Sequence, residues 1–416
     1  MEVTLDQASA RRGLTEKLFY GSLEGMRECS IEVRHGASTQ TFGDAGNPLK
    51  AVIAIDDQRF FTRAVLGGDI GVGEAYMDGD WSSPDVVSVV RAAVRNMPQL
   101  DARNRLISKA TRAFNRLRHM RNDNTETGSR RNIAHHYDLG NEFYGLFLDP
   151  SMAYSCAYYQ GADDVLEAAQ ERKFEVICRK LDLQPGDHLL EIGTGWGGFA
   201  IYAATHYGCH ITTTTISKEQ HTFSAERFAP LRAAGARIEL LFEDYRKLTG
   251  TFNKLVSIEM FEAVGLKHYD EFFGACDRLL TPDGKMLLQT ITMNERHFRP
   301  YLQQSDWIKK YVFPGAELAS VAETLRSTAR VGTLQLAELE EIGEHYAITL
   351  REWRRRFMSQ RAEVRSLGFD ERFIRMWEFY LAYCEGGFLE HYIGDVQMLF
   401  AKPAARRTIG SSLQAR

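Results

Sequence analysis

The sequence predicts an α/β protein built on a Rossmann-like, doubly wound sheet, and three observations carry that expectation. From residue 132 onward, short apolar runs alternate with helical patterns at the spacing of βα units. The apolar run Leu189–Ile192 ends in Gly193, Thr194, Gly195, Trp196, Gly197 and Gly198, which reads as a buried strand, a tight turn and a helix start. The first hundred residues have a different texture, so a small N-terminal α+β domain is expected ahead of the sheet.

Taken in order, Glu32–Thr41 and Lys50–Ile55 alternate or run apolar like strands. The glycine-rich Gly71–Trp81 reads as loop and turn, and Val86–Val94 as a helix. Asp101–Arg121 is an amphipathic basic helix: Leu106, Ala110, Phe114 and Leu117 recur at helical spacing among seven arginines and lysines from Arg103 to Arg121. It suits either an inter-domain helix or an anionic lipid surface. These elements set a first domain at 1–121, a polar linker at 122–131, the sheet domain at 132–402 and a tail at 403–416. Within the sheet domain, strands are expected at His188–Ile192, His210–Ile216, Arg237–Phe242, Lys254–Ile258, Lys285–Ile291 and Gln397–Ala401. Helices fit Gly198–His206, Lys218–Ala234 and Tyr269–Leu280, with a mainly helical insertion over Asp306–Leu367.

Bulk properties narrow the function. A chain of 416 residues, 44% of them apolar, holds a sizeable core. A net charge of -4 argues against a dedicated nucleic-acid binder. No apolar h-region opens the chain, and no run approaches the roughly 18 apolar residues of a membrane span. The six cysteines are scattered without a C-x-x-C pair, which fits reduced cytosolic thiols and argues against structural zinc. His135 and His136 have no third ligand at metal spacing, so no metal is expected.

The glycine turn suits two cofactors, a dinucleotide or S-adenosylmethionine. A dinucleotide site wants an acid about 20 residues on, at the end of the second strand. Here that strand ends Thr213-Thr214-Thr215-Ile216-Ser217, and the next ends Phe242-Glu243-Asp244-Tyr245. Hydroxyls with Gln220 for a ribose, and Asp244-Tyr245 for an adenine, favour S-adenosylmethionine.

At this point the chain resembles the cyclopropane-fatty-acyl-phospholipid synthases, relatives of the mycolic acid cyclopropane synthases. The resemblance rests on His136–Asn141, Tyr154-Ser155-Cys156-Ala157-Tyr158, Glu191–Gly198, Thr215–Gln220, Met260–Gly265 and Trp307–Gly315. It implies a class I methyltransferase fold. The implied reaction passes a methyl group from S-adenosylmethionine to the double bond of an unsaturated phospholipid acyl chain. The resulting carbocation loses a proton to bound bicarbonate and closes to a cyclopropane. The alternative on the same fold is a methyl-branched or methylene product. The resemblance also implies a homodimer, and a peripheral location at an anionic cytoplasmic membrane face.

By the same resemblance, Cys156, Glu262, Ile291 and Tyr346 hold the bicarbonate, and Cys384 is a candidate of mainly structural character. Gln289 stands where the family usually has histidine; it can hold hydrogen bonds but cannot relay a proton. Cofactor contacts carried over are Tyr154, Ser155, Glu191, Gly193, Thr194, Gly195, Trp196, Gly197, Gly198, Thr215, Ile216, Gln220, Asp244 and Tyr245.

Overall fold

The computed structural model describes residues 13–103, 139–161 and 163–405. The chain divides into two compact units that do not follow its linear order. The first gathers Met1–Arg121, Pro300–Pro314 and Leu350–Tyr392; the second gathers Asn122–Arg299, Gly315–Thr349 and Ile393–Arg416. A boundary near residue 131 is therefore crossed again by two later stretches. Apart from a helix that ends at Arg103, the basic segment Asp101–Arg121 lies outside the described residues, as do the linker 122–131 and residues 406–416 of the tail.

In the first unit, β1 (Ser30–His35) and β2 (Ser38–Gly43) form a hairpin. Strand β3 (Lys50–Ile55) runs parallel beside β1, and β4 (Trp81–Ser82) closes the order β2-β1-β3-β4. The expected single strand Glu32–Thr41 is thus two strands. Gly36, at φ 59, supplies the left-handed backbone that reverses the chain. Gly71–Trp81 is corrected as well: its first seven residues belong to the helix Arg59–Met77, which is interrupted at Gly68. Gly71 and Gly73 serve close approach, not turning, whereas Gly79, at φ 78, does turn the chain after the helix. A Cβ on Gly71 would lie 2.0 Å from the Arg63 carbonyl oxygen, and one on Gly73 would lie 2.4 Å from the Trp307 ring. The helix Val86–Arg95 forms as expected, capped by Asp85, whose side chain accepts from the Val87 N–H, with four valines buried along one face.

The second unit carries the sheet. Its strands are β5 (His188–Ile192), β6 (His210–Thr214), β7 (Ile238–Leu241), β8 (Phe252–Ile258), β9 (Leu280–Met293), β10 (Gln335–Glu341) and β11 (Ile393–Ala401), in the order β10-β11-β9-β8-β5-β6-β7. Strands β5 to β9 pair in parallel, and β11 runs antiparallel between β9 and β10. Alternate residues face opposite sides: Leu189, Val256 and Leu287 join one buried cluster, while Leu190, Leu255 and Leu288 join the other. Helices Leu166–Leu181 and Gly198–Tyr207 cover the first face; Tyr269–Leu279 covers the second.

The insertion read as mainly helical contains a strand, β10. Its residues are mostly exposed at the sheet edge, so no apolar alternation marks it in the sequence. The strand order turns between β5 and β8. That is the switch point of a doubly wound sheet, where the carboxyl ends of neighbouring strands open a crevice.

Candidate functional site

That crevice is a cavity of about 190 Å³ in the second unit. Of the residues expected to meet the cofactor, all but Gly197 line it. The turn after β5 is held by the neighbouring strand, since the N–H groups of Gly193 and Thr194 both donate to the Thr214 carbonyl, at 3.0 and 3.1 Å. Gly193 (φ 102) and Gly197 (φ 86) occupy backbone that side chains avoid. At Gly198 the constraint is space: a Cβ there would sit 2.6 Å from the Ser151 carbonyl oxygen. Gly198 also begins a ten-residue helix whose free N–H groups face the turn.

Glu191 closes the inner wall. It is buried and accepts from the Thr213 hydroxyl at 2.5 Å, which in turn meets Thr194 Oγ1 at 2.7 Å. Burial pushes its carboxyl up to about 8. On the next strand, Thr215 Oγ1 donates to Gln220 Oε1 at 2.8 Å, and Ser217 caps the helix Lys218–Ala233. Asp244 is buried, yet its carboxyl is held below the usual range because Arg246 grips it in a fork at 2.8 and 2.7 Å. Tyr154 packs its ring on Tyr144, and Tyr144 on Trp196, whose indole N–H donates to Asn141. Ser155 Oγ accepts from Lys173 Nζ at 2.6 Å.

Lys173 was not among the expected site residues. It lies wholly buried on the inner face of Leu166–Leu181, among Leu166, Ala169, Phe174 and Ile177, and burial lowers its pKa. A lysine and Gln170 on an otherwise apolar stripe were the available signal.

The residues expected to cage bicarbonate come together, but around something else. The backbone N–H of Cys156 donates to Glu259 Oε1 at 2.8 Å, Gln289 Nε2 donates to the same oxygen at 2.8 Å, and the Tyr346 hydroxyl donates to Glu259 Oε2 at 2.6 Å. Glu259 follows β8 in a left-handed conformation, φ 48, and lines the cavity. Both backbone groups of Ile291 are engaged: its N–H donates to Glu262 Oε1 and its carbonyl accepts from Ala319. Bicarbonate therefore does not fit here, since the donors expected to hold it already serve a carboxylate of the chain. The Cys156 thiol donates to backbone carbonyls, and burial beside Asp395 and Glu259 holds it protonated.

Glu262 is buried; Thr290 Oγ1 donates to its Oε1 at 2.8 Å, while Oε2 has no partner. Burial and the nearby Glu259 charge push it up to about 7. Cys384 belongs to the first unit, on the helix Glu371–Leu389, and burial raises its thiol pKa. The structure thus gathers Cys156, Glu262, Gln289, Ile291 and Tyr346 in one unit, with Cys384 assigned to the other. It adds Glu259, whose signal was a second acid three residues before Glu262 at a strand end.

Comparison with known proteins agrees with this geometry. The family described as mycolic acid cyclopropane synthetase matches residues 124–398. The chain is 39% identical over 338 residues to the tuberculostearic acid methyltransferase UfaA1 of Mycobacterium tuberculosis, covering 79% of this chain and 78% of that one. It is 36% identical over 358 residues to the cyclopropane-fatty-acyl-phospholipid synthase of Escherichia coli, covering 85% and 88%. Among solved structures, the cyclopropane synthase MmaA2 from Mycobacterium tuberculosis aligns with a TM-score of 0.61 at 29% identity over 66% of this chain and 98% of that one. The mycolic acid cyclopropane synthase CmaA1, complexed with SAH and CTAB, aligns with a TM-score of 0.61 at 30% identity over the same shares. The match over residues 124–398 and these relatives make the chain a member of the mycolic acid cyclopropane synthetase family and an S-adenosylmethionine-dependent methyltransferase.

Proposed function

We propose that this protein adds one carbon to the double bond of an unsaturated phospholipid acyl chain, as a cyclopropane-fatty-acyl-phospholipid synthase, with Glu259 as the base. The observation that carries the reading is the convergence of three donors on the Glu259 carboxylate at the cavity wall. S-adenosylmethionine, when bound, supplies an electrophilic methyl group to the weakly nucleophilic alkene. The glycine turn and Gly198 helix start hold the donor, Thr215 and Gln220 face its ribose, and the 244–245 corner its adenine. Glu259 then takes a proton from the cationic lipid. Its three hydrogen bonds fix both oxygens, so the base is set before the cation forms.

A second end-point is favoured by one observation. Glu259 is tethered to the backbone, whereas bicarbonate is not, so it removes whichever proton its fixed oxygens reach. A 1,2-hydride shift that moves the cation to the carbon bearing the new methyl group, followed by loss of a methyl proton whose electron pair becomes the new π bond, leaves a methylene branch; a methyl-branched acid then needs a separate reductant. Gas chromatography–mass spectrometry of fatty acids from cells expressing the protein separates the two, because mild hydrogenation saturates the methylene isomer and spares the ring. Cells whose acyl chains gain no carbon would refute both end-points.

The lipid reading also carries a docking step at an anionic cytoplasmic membrane face. Its support is the charge of Arg103–Arg121, which beyond Arg103 lies outside the described residues; among the described residues no helix is long and apolar enough to cross a membrane. Salt-sensitive co-sedimentation with anionic vesicles tests it, and equal binding to neutral vesicles refutes it. The homodimer that the resemblance implies is read from the sedimentation coefficient.

A further inference from the structure

Strands β9 and β11 place a polar row inside the second unit. Gln289 pairs with Gln397 across the strands, and Asp395 lies two residues earlier on β11 opposite Ile291. All three polar side chains are fully buried. Gln397 Nε2 donates to Gln289 Oε1 at 3.0 Å, which turns the Gln289 amide nitrogen toward the acids. That nitrogen donates to Glu259 Oε1 at 2.8 Å and to Asp395 Oδ2 at 3.2 Å, so one NH₂ group bridges two carboxyls. That shared donor makes the Asp395 and Glu259 carboxyls neighbours. Asp395 Oδ1 meets no donor.

Titratable groups facing Asp395 decide its state. They are Glu259 after β8, Glu262 in the turn that follows, Lys173 on its helix, the Cys156 thiol, and Glu341 at the end of β10, which accepts from the Asp395 N–H. Of these acids Glu341 is exposed, while Glu262 is buried and Glu259 half-buried; with Asp395 they face one lysine, and that lysine is bound to Ser155. Two adjacent carboxylates cannot both stay ionised in such a place. Glu259 holds three donors and Asp395 holds one weak one, so the charge belongs on Glu259 and the proton on Asp395. Burial, then repulsion from Glu259 and Glu262, raises the Asp395 pKa well above the ordinary range.

We propose that Asp395 is a positioning residue for the base: as a neutral acid it donates a hydrogen bond to the Glu259 carboxylate, and the two form a pair holding one proton and one charge. The inference rests on the reading of Glu259 as the base. During turnover the lipid C–H bond breaks, its electron pair enters the new carbon–carbon bond, and its proton goes to Glu259. The pair passes from one proton to two and returns the extra proton to water after product leaves. Gln289 moves no proton; it keeps the two carboxyls in register.

The test compares the full-length protein with Asp395→Asn, close to isosteric, at pH 8. The infrared difference spectrum should show loss of a carboxylic-acid carbonyl band that shifts in D₂O. The acid limb of the kcat profile should move up by roughly half a pH unit or more, because an amide N–H is the weaker donor to a carboxylate. Affinity for S-adenosylmethionine should stay within about threefold. A purely structural Asp395 would lower kcat at every pH without moving the limb. An unchanged infrared spectrum, or an unmoved limb, overturns the proposal. The infrared arm needs no turnover, so a protein that shows the band but alters no lipid would condemn the functional reading and leave the shared proton standing.

Discussion

The Tyr346 hydroxyl meets Glu259 Oε2 at 2.6 Å, from a residue 87 positions further along the chain. Removing it, as Tyr346→Phe, leaves the ring's packing and deletes one bond to a charged acceptor. Such a bond contributes about 1.5–3 kcal/mol, so turnover should fall roughly ten- to a hundredfold. Affinity for S-adenosylmethionine, measured by calorimetry, should hold within about threefold. A variant with wild-type kcat would remove Tyr346 from the base's support.

Glu259→Gln keeps the shape and deletes the base, so turnover should drop by about 10²–10⁴. Glu259→Gly suits the φ of 48 and empties the space among Cys156, Gln289 and Tyr346. Added bicarbonate should then restore part of the activity, whereas the wild-type rate should ignore it. A wild-type enzyme that needs bicarbonate would reverse the assignment.

Glu191, buried with an ionisation near 8, gives a stability signature. Its folded pKa exceeds the unfolded value of about 4.3, so the native state binds the extra proton between them. Stability from this group is present at low pH and is lost as pH rises to about 8. Relative to wild type, Glu191→Gln should therefore gain stability across that window, by up to about 1.4 kcal/mol per pH unit. Denaturant melts at several pH values check the slope; a flat difference would mean Glu191 is already ionised in the fold.

Gly198→Ala would force a Cβ to 2.6 Å from the Ser151 carbonyl oxygen. Relieving such overpacking costs about 1–3 kcal/mol and shifts the helix start at the cavity. Affinity for S-adenosylmethionine should weaken about tenfold or more, with near-normal helix content by circular dichroism. Gly274→Ala, inside the helix Tyr269–Leu279, is the control, since a Cβ there meets nothing within 4 Å and its backbone is not left-handed.

The parallel sheet is legible because its signals are local. Leu189 and Leu190 fall on opposite faces, and the four glycines mark the turn at the cavity wall. Strand β10 is hidden because its environment is an exposed edge, and Gly71 and Gly73 mislead because close packing and turning use the same residue. The candidate site is half legible. Motif resemblance brings Cys156, Gln289 and Tyr346 together, but what they surround depends on a backbone twist at Glu259 and on partners 103, 30 and 87 residues away. No periodicity in one segment encodes that. Lys173 is the exception: a charged residue on an apolar helix stripe announces a buried partner.

Gln397 fixes the Gln289 amide from 108 residues downstream. During synthesis, β5 to β9 emerge from the ribosome well before β11 does, so the growing chain displays an acidic, incompletely bonded centre until its late strand slides in. Any protease cut or premature stop ahead of Ile393 should leave a protein that still presents the glycine turn yet cannot organise its base. The order of translation itself thus withholds activity until the sheet is complete.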